Sequence, residues 1–345
     1  MKKYYTRACN FYYGKTSKYL VKKKLALPVT GRSDISFDKI EFFTRNKKKI
    51  SSKIINVQEI KREESDIRKK INKDIKKITF KRDKFSNPSI MGILNITPDS
   101  FSDGGKFIKK IDAMNQIKLM INSGADIIDV GGESTRPGSK IILPNIEWKR
   151  IEKIIKVFKK RYPNTLLSVD TRKSKVMEKS LKYNTDMIND VSCFEHDNKS
   201  LEIIKTSNVW TVIHHMQGTP QNMQNNPKYK NVLLDIYDFF ENKIKTLRSI
   251  GIEHDNIILD PGIGFGKNLK HNMNLIRKIS IFHSLGFPIL VGNSRKRFIK
   301  EIAKKNDSKN RIGGTIASSI YLMMQGVQIL RIHDVNELIQ GVKVF

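Results

Sequence analysis

The chain has 345 residues, of which 39% are hydrophobic, so it is long enough for one large domain with an appendage and can form a packed core. No apolar run approaches the roughly 20 residues of a membrane-spanning helix, which argues against an integral membrane protein. The two cysteines, Cys9 and Cys193, lie far apart and match no metal-binding spacing. A reduced, cytoplasmic location is therefore expected.

The net charge of +31 raises the possibility of nucleic acid binding. The first 88 residues hold 26 of the 65 basic residues but only 9 of the 34 acidic residues, so the excess is concentrated there. It consists mostly of dispersed lysines without interleaved aromatic residues. We attribute it to an AT-rich genome and expect no nucleic acid partner, although the positive field favours anionic substrates.

Residues 1–87 differ in composition from the rest of the chain. The first 33 residues contain no acidic side chain, as in a transit peptide, but they lack the usual Ser/Arg-rich amphipathic pattern, which favours a retained segment. Residues 25–28 and 35–43 predict short strands, and residues 61–77 have helical propensity with little apolar face. We expect a small, poorly packed or partly flexible basic extension of uncertain fold that ends at the turn Ser86-Asn87-Pro88.

From Ser89 onward, short apolar runs alternate with helix-like stretches of about 10 to 20 residues. Eight strands are predicted, at 89–95, 125–131, 165–170, 186–190, 209–215, 256–260, 287–292 and 327–332. Eight βα units over residues 88–345 predict an α/β fold, the (β/α)8 TIM barrel, with the N-terminal region as a small extension. The alternative is an open doubly wound sheet. That fold would normally have fewer strands and a first turn of the type G-x-G-x-x-G, which is absent.

Every predicted strand ends in polar or charged residues. Because the carboxyl ends of barrel strands meet on one face, these groups should converge there. Unpaired buried charges are costly, so a ligand is expected among them. The residues concerned are Asn95, Asp129 with the loop at 133–138, Asp170, Asn189, His214, Asp260, Lys296, Arg331 and His333.

Four of these side chains suit the edge of a flat heterocycle. Asp170, Asn189 and Asp260 can each bind one N–H or C=O group of such a ring, and Lys296 can donate to a ring carbonyl or nitrogen. A buried polar network without a ligand is the alternative for the first three residues. A surface position beside Arg295 and Arg297 is the alternative for Lys296.

A second group suits an anion. Arg331 and His333 alternate on the last strand and so point to the same side, near the place where barrels often bind phosphate. With Asn95 and Arg136 they can surround phosphate oxygens, and the amide oxygen of Asn95 can bind Mg²⁺. A core histidine bonded to the backbone is the alternative for His333.

Several other motifs do not support a site of their own. The segment 262–267 resembles a phosphate-binding loop but lacks two required residues, so we predict a tight turn that presents Phe265 to a ligand. The pair His214-His215 lacks a third metal ligand, and neighbouring strand residues face opposite ways, which argues against zinc. Ser134 and Ser294 have no evident base partner, which argues against a covalent nucleophile.

The motifs together resemble those of the dihydropteroate synthase family. MGILNITPDSFSDGG (91–105) and DIIDVGGESTRPGS (126–139) are similar to the two signature segments of that family. Six further segments follow in the family's order: SVDTRK (168–173), MINDVS (187–192), HHMQGTPQNMQ (214–224), LDPGIGFGK (259–267), VGNSRKRF (291–298) and RIHDV (331–335). The resemblance covers the chain from about Pro88 to its end.

This resemblance implies a transferase of folate biosynthesis. The reaction condenses 6-hydroxymethyl-7,8-dihydropterin pyrophosphate with p-aminobenzoate and releases pyrophosphate, by dissociative loss of pyrophosphate and attack of the arylamine. Mg²⁺, a homodimer and sulfonamide binding are also implied. The implied roles are catalytic for Asp103, Lys296 and Arg331; pterin binding for Asp170, Asn189, Asp260 and Lys296; pyrophosphate binding for Asn95, Arg136, Arg331 and His333; p-aminobenzoate binding for Thr135, Pro137, Phe265 and Ser294; and metal binding for Asn95.

Three other functions are alternatives to this one. A pterin-binding methyltransferase of the same barrel superfamily is disfavoured by the intact p-aminobenzoate loop and pyrophosphate residues. A catalytically silent homologue is disfavoured because Asn95, Asp103, Arg331 and His333 are all present. A nucleic acid-binding protein would need its basic residues on one face and would show a steep salt dependence.

Overall fold

The computed structural model describes residues 2–47, 49–97, 110–135 and 138–344. The N-terminal part of the chain, up to Ile78, is built on a four-stranded antiparallel sheet. The long strand β3 pairs with β1 on one side and with β2 and then β4 on the other. The elements of this part are β1 (Lys2–Tyr13), α1 (Gly14–Lys22), β2 (Leu27–Val29), β3 (Arg32–Asn46), β4 (Lys49–Asn56), a 3-10 helix (Val57–Arg62) and α2 (Ser65–Ile78).

The expectation of a poorly packed extension is wrong. The N-terminal sheet and α2 enclose an apolar core in which Phe37, Ile40 and Ile71 are completely buried. The sequence misleads here because α2 carries only a narrow apolar stripe among its charged residues, and because β1 mixes basic, aromatic and small residues without a regular apolar and polar alternation. Such side chains can pack their apolar portions on the sheet and keep their charged ends in water.

The second part of the chain alternates parallel strands with helices. Its strands are β5 (Ser89–Asn95), β6 (Ile127–Gly131), β7 (Leu166–Asp170), β8 (Met187–Asp190), β9 (Trp210–His214), β10 (Ile257–Asp260), β11 (Leu290–Val291) and β12 (Ile329–Ile332). Its helices are α3 (Lys110–Asn122), α4 (Pro144–Arg161), α5 (Ser174–Leu181), α6 (Ser200–Ser207), α7 (Val232–Ser249), α8 (Leu269–Arg277), α9 (Arg297–Ala303), α10 (Ile312–Met323) and α11 (Val335–Val344). Short 3-10 helices lie at His254–Asn256, Ile279–Leu285 and Lys309–Arg311.

These eight strands form the predicted TIM barrel. Consecutive strands pair in parallel from β5 to β10, and β12 pairs with both β5 and β11. A parallel bridge between Leu259 and Ile289 joins the two remaining edges, and the amide of Leu259 donates to the Pro288 carbonyl at 2.9 Å. The strands begin and end within three residues of their predicted bounds, and the open doubly wound alternative is excluded.

An apolar layer closes the amino-terminal part of the barrel interior. Each strand contributes one side chain to it, and Phe85, from the segment that precedes β5, packs its ring 5.3 Å from that of Trp210. Because inward positions recur every two residues, the next inward layer lies two residues closer to the carboxyl end. The apolar layer consists of Met91, Ile127, Leu166, Met187, Val212, Ile258, Leu290 and Ile329.

The N-terminal part of the chain packs on the barrel at α7 and at the 3-10 helix Ile279–Leu285. Tyr5 of β1 is completely buried and belongs to the hydrophobic cluster of the barrel. Its hydroxyl donates to Asp238 of α7 at 3.0 Å. Arg45 of β3 pairs with Asp235 of the same helix at 2.6 Å, and the Ser280 hydroxyl donates to the Ala8 carbonyl at 2.8 Å. The N-terminal sheet and the barrel are therefore joined by polar and apolar contacts that are at least partly buried.

Across the parts of the chain that the structure covers, no helix is both long enough and apolar enough to cross a membrane.

Candidate functional site

The site is built on the second inward layer of the barrel. This layer follows the apolar one by two residues on every strand, and it is mostly polar. Its members are Ile93, Asp129, Ser168, Asn189, His214, Asp260, Gly292 and Arg331. Direct contacts confirm that they share the interior, because residues of strands that are not neighbours meet there.

Arg331 forms an ionic contact with two carboxylates. Its Nε donates to Asp129 at 2.6 Å, and one terminal nitrogen donates to Asp170 at 2.8 Å. Since β5 separates β12 from β6, the Arg331–Asp129 contact can form only across the interior. Burial lowers the pKa of Arg331, but the two carboxylates raise it by more, so its guanidinium stays charged. Burial raises the pKa of Asp170 to about 7, although Arg331 opposes this effect.

Asn189 offers an acceptor to a ligand. Its side-chain nitrogen donates to Asp129 at 3.3 Å. Its side-chain oxygen is buried and has no hydrogen-bond partner among the described residues. An unsatisfied buried acceptor costs about 1–3 kcal/mol, which a ligand N–H group would offset.

Asp260 lies at the end of β10, where the chain turns sharply. Its carboxylate accepts the amide N–H of Gly262 at 2.8 Å. Burial raises the pKa of Asp260 to about 6, although the Gly262 N–H opposes the rise. Gly262 has a φ of +67°, and a β-carbon at this position would collide with the His215 carbonyl oxygen, so the tight turn predicted for this loop requires glycine.

Lys296 and Phe265 lie against each other at the same end of the barrel. The ammonium of Lys296 is 4.1 Å from the centre of the Phe265 ring, and its aliphatic stem packs over Gly264. Burial, together with the nearby Arg331, lowers the pKa of Lys296 to about 8. Lys296 is therefore a half-buried residue directed at the site, which excludes the alternative of a surface lysine.

The two neighbouring histidines face opposite ways, as predicted. His214 points inward, with its Nε2 3.9 Å from Asp260 and its ring edge-on to Phe265 at 4.6 Å. His215 contacts the buried Lys267, whose ammonium lies 3.0 Å from His215 Nδ1 and donates to the Phe265 carbonyl. Burial and Lys267 hold the pKa of both histidines well below the ordinary value, so both rings are neutral.

The structure pairs two residues that the sequence assigned to different ligands. Ser294 Oγ lies 3.0 Å from His333 Nδ1, and it accepts the backbone N–H of His333 at 3.2 Å. Asn95 ends β5 opposite Gly131, where its amide oxygen lies beside the space that a glycine leaves open next to Asp170. The predicted p-aminobenzoate, pyrophosphate and pterin residues therefore adjoin one another.

The loop that follows β6 is held at Glu133 by a cluster of ion pairs. Glu133 is buried and accepts from Arg172 at 2.9 Å and from Lys173 at 2.8 Å. Thr135, which the sequence assigns to p-aminobenzoate, is half-buried two residues further along. Three other predicted site residues, Asp103, Arg136 and Pro137, lie outside the described residues.

The side chains at the strand ends determine whether Mg²⁺ can bind there. No group of three or more His, Cys, Asp or Glu side chains suited to a metal occurs among the described residues. Mg²⁺ usually takes only one or two protein ligands when it bridges phosphates, and Asn95 provides an oxygen of the preferred type at the strand ends. The donor set therefore fits a Mg²⁺ that arrives with a phosphorylated substrate, and not a cage made of protein groups alone.

Asp129 belongs to the site, although the sequence alone predicts no role for it. It is completely buried and accepts hydrogen bonds from Arg331, Asn189 and the Ser168 hydroxyl, the last at 2.6 Å. The signal that could have identified it is its spacing. It lies two residues after the inward-facing Ile127 and in register with Ser168.

The side chains at the carboxyl ends of the strands could bind three kinds of chemical group. Buried carboxylates and an amide oxygen can accept N–H groups of a flat ring, and they can stabilise positive charge on it. Arg331 and His333 can bind an anion beside that ring. Phe265, with the stem of Lys296, provides an apolar wall for a second ring.

Comparison with known proteins agrees with this chemistry. The sequence family described as "Pterin binding enzyme" matches residues 91–333. Dihydropteroate synthase of Escherichia coli strain K12 is 40% identical over 259 residues, which cover 75% of this chain and 91% of that enzyme. Dihydropteroate synthase of Synechocystis is 39% identical over 255 residues, covering 74% of this chain and 88% of that enzyme.

Solved structures show the same similarity. The Yersinia pestis dihydropteroate synthase in a sulfonamide drug complex aligns with a TM-score of 0.72 and 38% identity, covering 76% of this chain and 94% of that one. The Xanthomonas albilineans enzyme in complex with 7,8-dihydropteroate aligns with a TM-score of 0.68 and 30% identity, covering 76% of this chain and 93% of that one.

Proposed function

The chain belongs to the dihydropteroate synthases, a group of pterin-binding enzymes, and we propose which residues at the strand ends bind each part of the substrates. The enzyme is a transferase that condenses 6-hydroxymethyl-7,8-dihydropterin pyrophosphate with p-aminobenzoate. The C–O bond to pyrophosphate breaks, a C–N bond to the arylamine forms, and the nitrogen then loses a proton. The products are 7,8-dihydropteroate and pyrophosphate.

Asp170, Asn189, Asp260 and Lys296 are proposed to bind the pterin. The observation that carries this assignment is the buried side-chain oxygen of Asn189, which has no hydrogen-bond partner among the described residues, while the nitrogen of the same amide donates to Asp129. A pterin edge presents several N–H donors and one carbonyl, so it can satisfy Asn189 and Asp260 and accept from Lys296. Asp170 contributes a second carboxylate on the same side.

Arg331, His333, Asn95 and Arg136 are proposed to bind pyrophosphate. Departure of pyrophosphate builds negative charge on the phosphate side and positive charge on the pterin methylene. A cation that is already fixed by two carboxylates needs no rearrangement to stabilise the developing anion. Mg²⁺, held by Asn95, would neutralise part of the pyrophosphate charge when bound.

Thr135, Pro137, Phe265 and Ser294 are proposed to surround p-aminobenzoate. The Phe265 ring is supported on one edge by His214 and covered by Lys296, so it offers a fixed apolar face. The arylamine is neutral and nucleophilic at neutral pH, so no strong base is required. Asp103 is proposed to stabilise the pterin cation after pyrophosphate has left, when water must be excluded.

We also propose a domain division, an oligomeric state and a cellular location for this enzyme. The two-part division, with residues 1–87 as one domain and 88–345 as the other, is supported by the separate core of the N-terminal sheet. A homodimer is supported by α10, which has no charged side chain and exposes Ala317 and Tyr321. A cytoplasmic location is supported by the two free cysteines.

The function is tested by pyrophosphate release from the purified protein. The mixture contains 6-hydroxymethyl-7,8-dihydropterin pyrophosphate and Mg²⁺, with and without p-aminobenzoate. Release should depend on p-aminobenzoate and should be competed by a sulfonamide. Binding of the pterin without turnover would instead identify a silent homologue, and failure to bind it would contradict the proposal.

A further inference from the structure

Asp129 lies between the two sets of residues proposed to bind the pterin and the pyrophosphate. It is completely buried, and three donors converge on its carboxylate: Arg331 Nε at 2.6 Å, Ser168 Oγ at 2.6 Å and Asn189 Nδ2 at 3.3 Å. All four residues belong to the second inward layer. Asp129 itself is occupied by protein donors, so it is not needed as a direct ligand of the substrate.

The contact with Asn189 determines which end of that amide faces a ligand. A carboxylate accepts hydrogen bonds and donates none, so Asn189 must turn its nitrogen toward Asp129. The amide oxygen then faces away, where it is buried without a partner among the described residues. The opposite orientation would place an oxygen against a carboxylate and would present N–H groups to the ligand.

The contact with Arg331 determines the direction of the guanidinium. One donor on Nε is held by Asp129, while a terminal nitrogen reaches Asp170. Because the guanidinium is planar, these two contacts fix both its tilt and the direction of its remaining N–H groups. Asp129 therefore orients Asn189, proposed to bind the pterin, and, together with Asp170, it orients Arg331, proposed to bind the pyrophosphate.

We propose that Asp129 is a positioning residue that sets specificity. It turns the side-chain oxygen of Asn189 toward the ligand, where this oxygen accepts from a ring N–H group, and it aligns Arg331 with the leaving group. This inference rests on the proposed function. It predicts that removing the charge of Asp129 relaxes discrimination between ligands at one ring position, beyond any loss of affinity. A side chain that merely supports the fold would lower stability and leave that discrimination unchanged.

The test measures dissociation constants for 6-hydroxymethyl-7,8-dihydropterin, whose N8 carries a hydrogen, and for two analogues: one lacks the 2-amino group, and the other has CH2 in place of the N8–H group. In the wild type, at least one analogue should bind 10-fold or more weakly than the pterin. In Asp129→Asn the new amide can donate to Asn189 and reverse it, so this ratio should fall below about 3-fold. With both substrates, kcat should fall as well, because Arg331 loses a charged partner.

A rescue variant separates positioning from folding. In the double variant Asp129→Asn with Asn189→Asp, the new amide donates to the new carboxylate, whose other oxygen faces the ring as an acceptor. The discrimination ratio should return to within about 3-fold of the wild-type value. Asp190→Asn is the matched control, because Asp190 is an equally buried carboxylate next to Asn189 whose hydrogen bonds, among the described residues, come from Ser192 and Phe194 of its own loop. It should lower the melting temperature without altering the ratio.

These experiments distinguish an error in the role of Asp129 from an error in the proposed function. If the wild type neither binds the pterin nor turns over, the function itself is contradicted. If the wild type is active and Asp129→Asn keeps the wild-type ratio, the role of Asp129 is overturned. If Asp129→Asn does not fold, the double variant decides: a folded double variant that fails to discriminate also overturns the proposal.

Discussion

Arg331 links the two halves of the proposed site through its planar shape as well as its charge. Lysine would keep the charge but cannot reach Asp129 and Asp170 with a rigid fork. We expect Arg331→Lys to lower kcat/KM by about 100-fold or more, equivalent to roughly 2.7 kcal/mol of transition-state stabilisation. Steady-state kinetics would measure this effect. Arg7→Lys, which alters an ion pair with Glu41 far from the site, is the control and should leave kcat/KM unchanged.

The carboxyl groups of Asp260 and Asp170 predict a pH dependence of pterin binding. Burial raises their pKa values to about 6 and about 7, so both gain protons as the pH falls from 7.5 to 5. A protonated carboxyl is a weaker acceptor for ring N–H groups, so affinity for 6-hydroxymethylpterin should fall over this range. This ligand has no phosphate, which removes phosphate titration from the measurement. Constant affinity between pH 5 and pH 7.5 would contradict the proposed roles.

Asp260→Asn provides the control for that titration. Asparagine does not titrate, so the pH profile should become shallower, and the affinity at pH 7.5 should be lower than that of the wild type. A profile as steep as that of the wild type would mean that Asp260 is not one of the groups responsible.

The sequence could predict which types of residues form the site, but it could not predict which of their side chains contact each other. Asp170, Asn189, Asp260 and Arg331 follow apolar runs, and the period of two indicates that such residues point inward. The contact between Arg331 and Asp129 depends on barrel closure, which brings together residues that are 202 positions apart. No local pattern contains that information, and for this reason the sequence alone predicts no role for Asp129.

At the scale of elements, the turn after β10 positions Phe265 and Asp260 together. We expect Gly262→Ala to lower activity at least 10-fold and to destabilise the fold, because a β-carbon would displace the turn from the His215 carbonyl. Kinetics and chemical denaturation would measure both effects. Gly251→Ala is the matched control. Gly251 also has a positive φ, of +99°, but a β-carbon there would meet no atom within 4 Å.

The two glycines allow backbone strain and steric collision to be separated. Gly251→Ala should cost only the strain of a positive φ, about 1–3 kcal/mol, and should leave activity unchanged. Gly262→Ala should cost about 1–3 kcal/mol more because of the overpacking. Equal costs for the two variants would show that the close approach of the turn to β9 has no energetic importance.

The sequence identified barrel elements more reliably than those of the N-terminal domain. The strands of the barrel are buried on both faces, so each reads as a continuous apolar run bounded by polar residues. The strand β1 contains basic, aromatic and small residues in turn, and its burial depends on contact with the barrel at Tyr5 and Ala8. That contact lies beyond the range of local periodicity.

At the scale of the whole molecule, the N-terminal domain should unfold together with the barrel. Tyr5 and Arg45 connect the two at α7, and both contacts are at least partly buried. Ile71→Ala in the N-terminal core should lower the free energy of unfolding by about 2–5 kcal/mol and shift a single transition. Thermal unfolding followed by circular dichroism and by calorimetry would measure it. A separate, earlier transition for the N-terminal domain would contradict this prediction.

In the proposed site, one set of strand ends binds the pterin and another set binds the pyrophosphate of the same substrate. The most direct test is to titrate the pterin alone and Mg²⁺-pyrophosphate alone into the wild type, Asp260→Asn and His333→Gln by calorimetry. We predict that Asp260→Asn loses affinity for the pterin by 10-fold or more and keeps pyrophosphate affinity within about 2-fold. His333→Gln should show the reverse pattern. Loss of the same ligand in both variants would contradict the account.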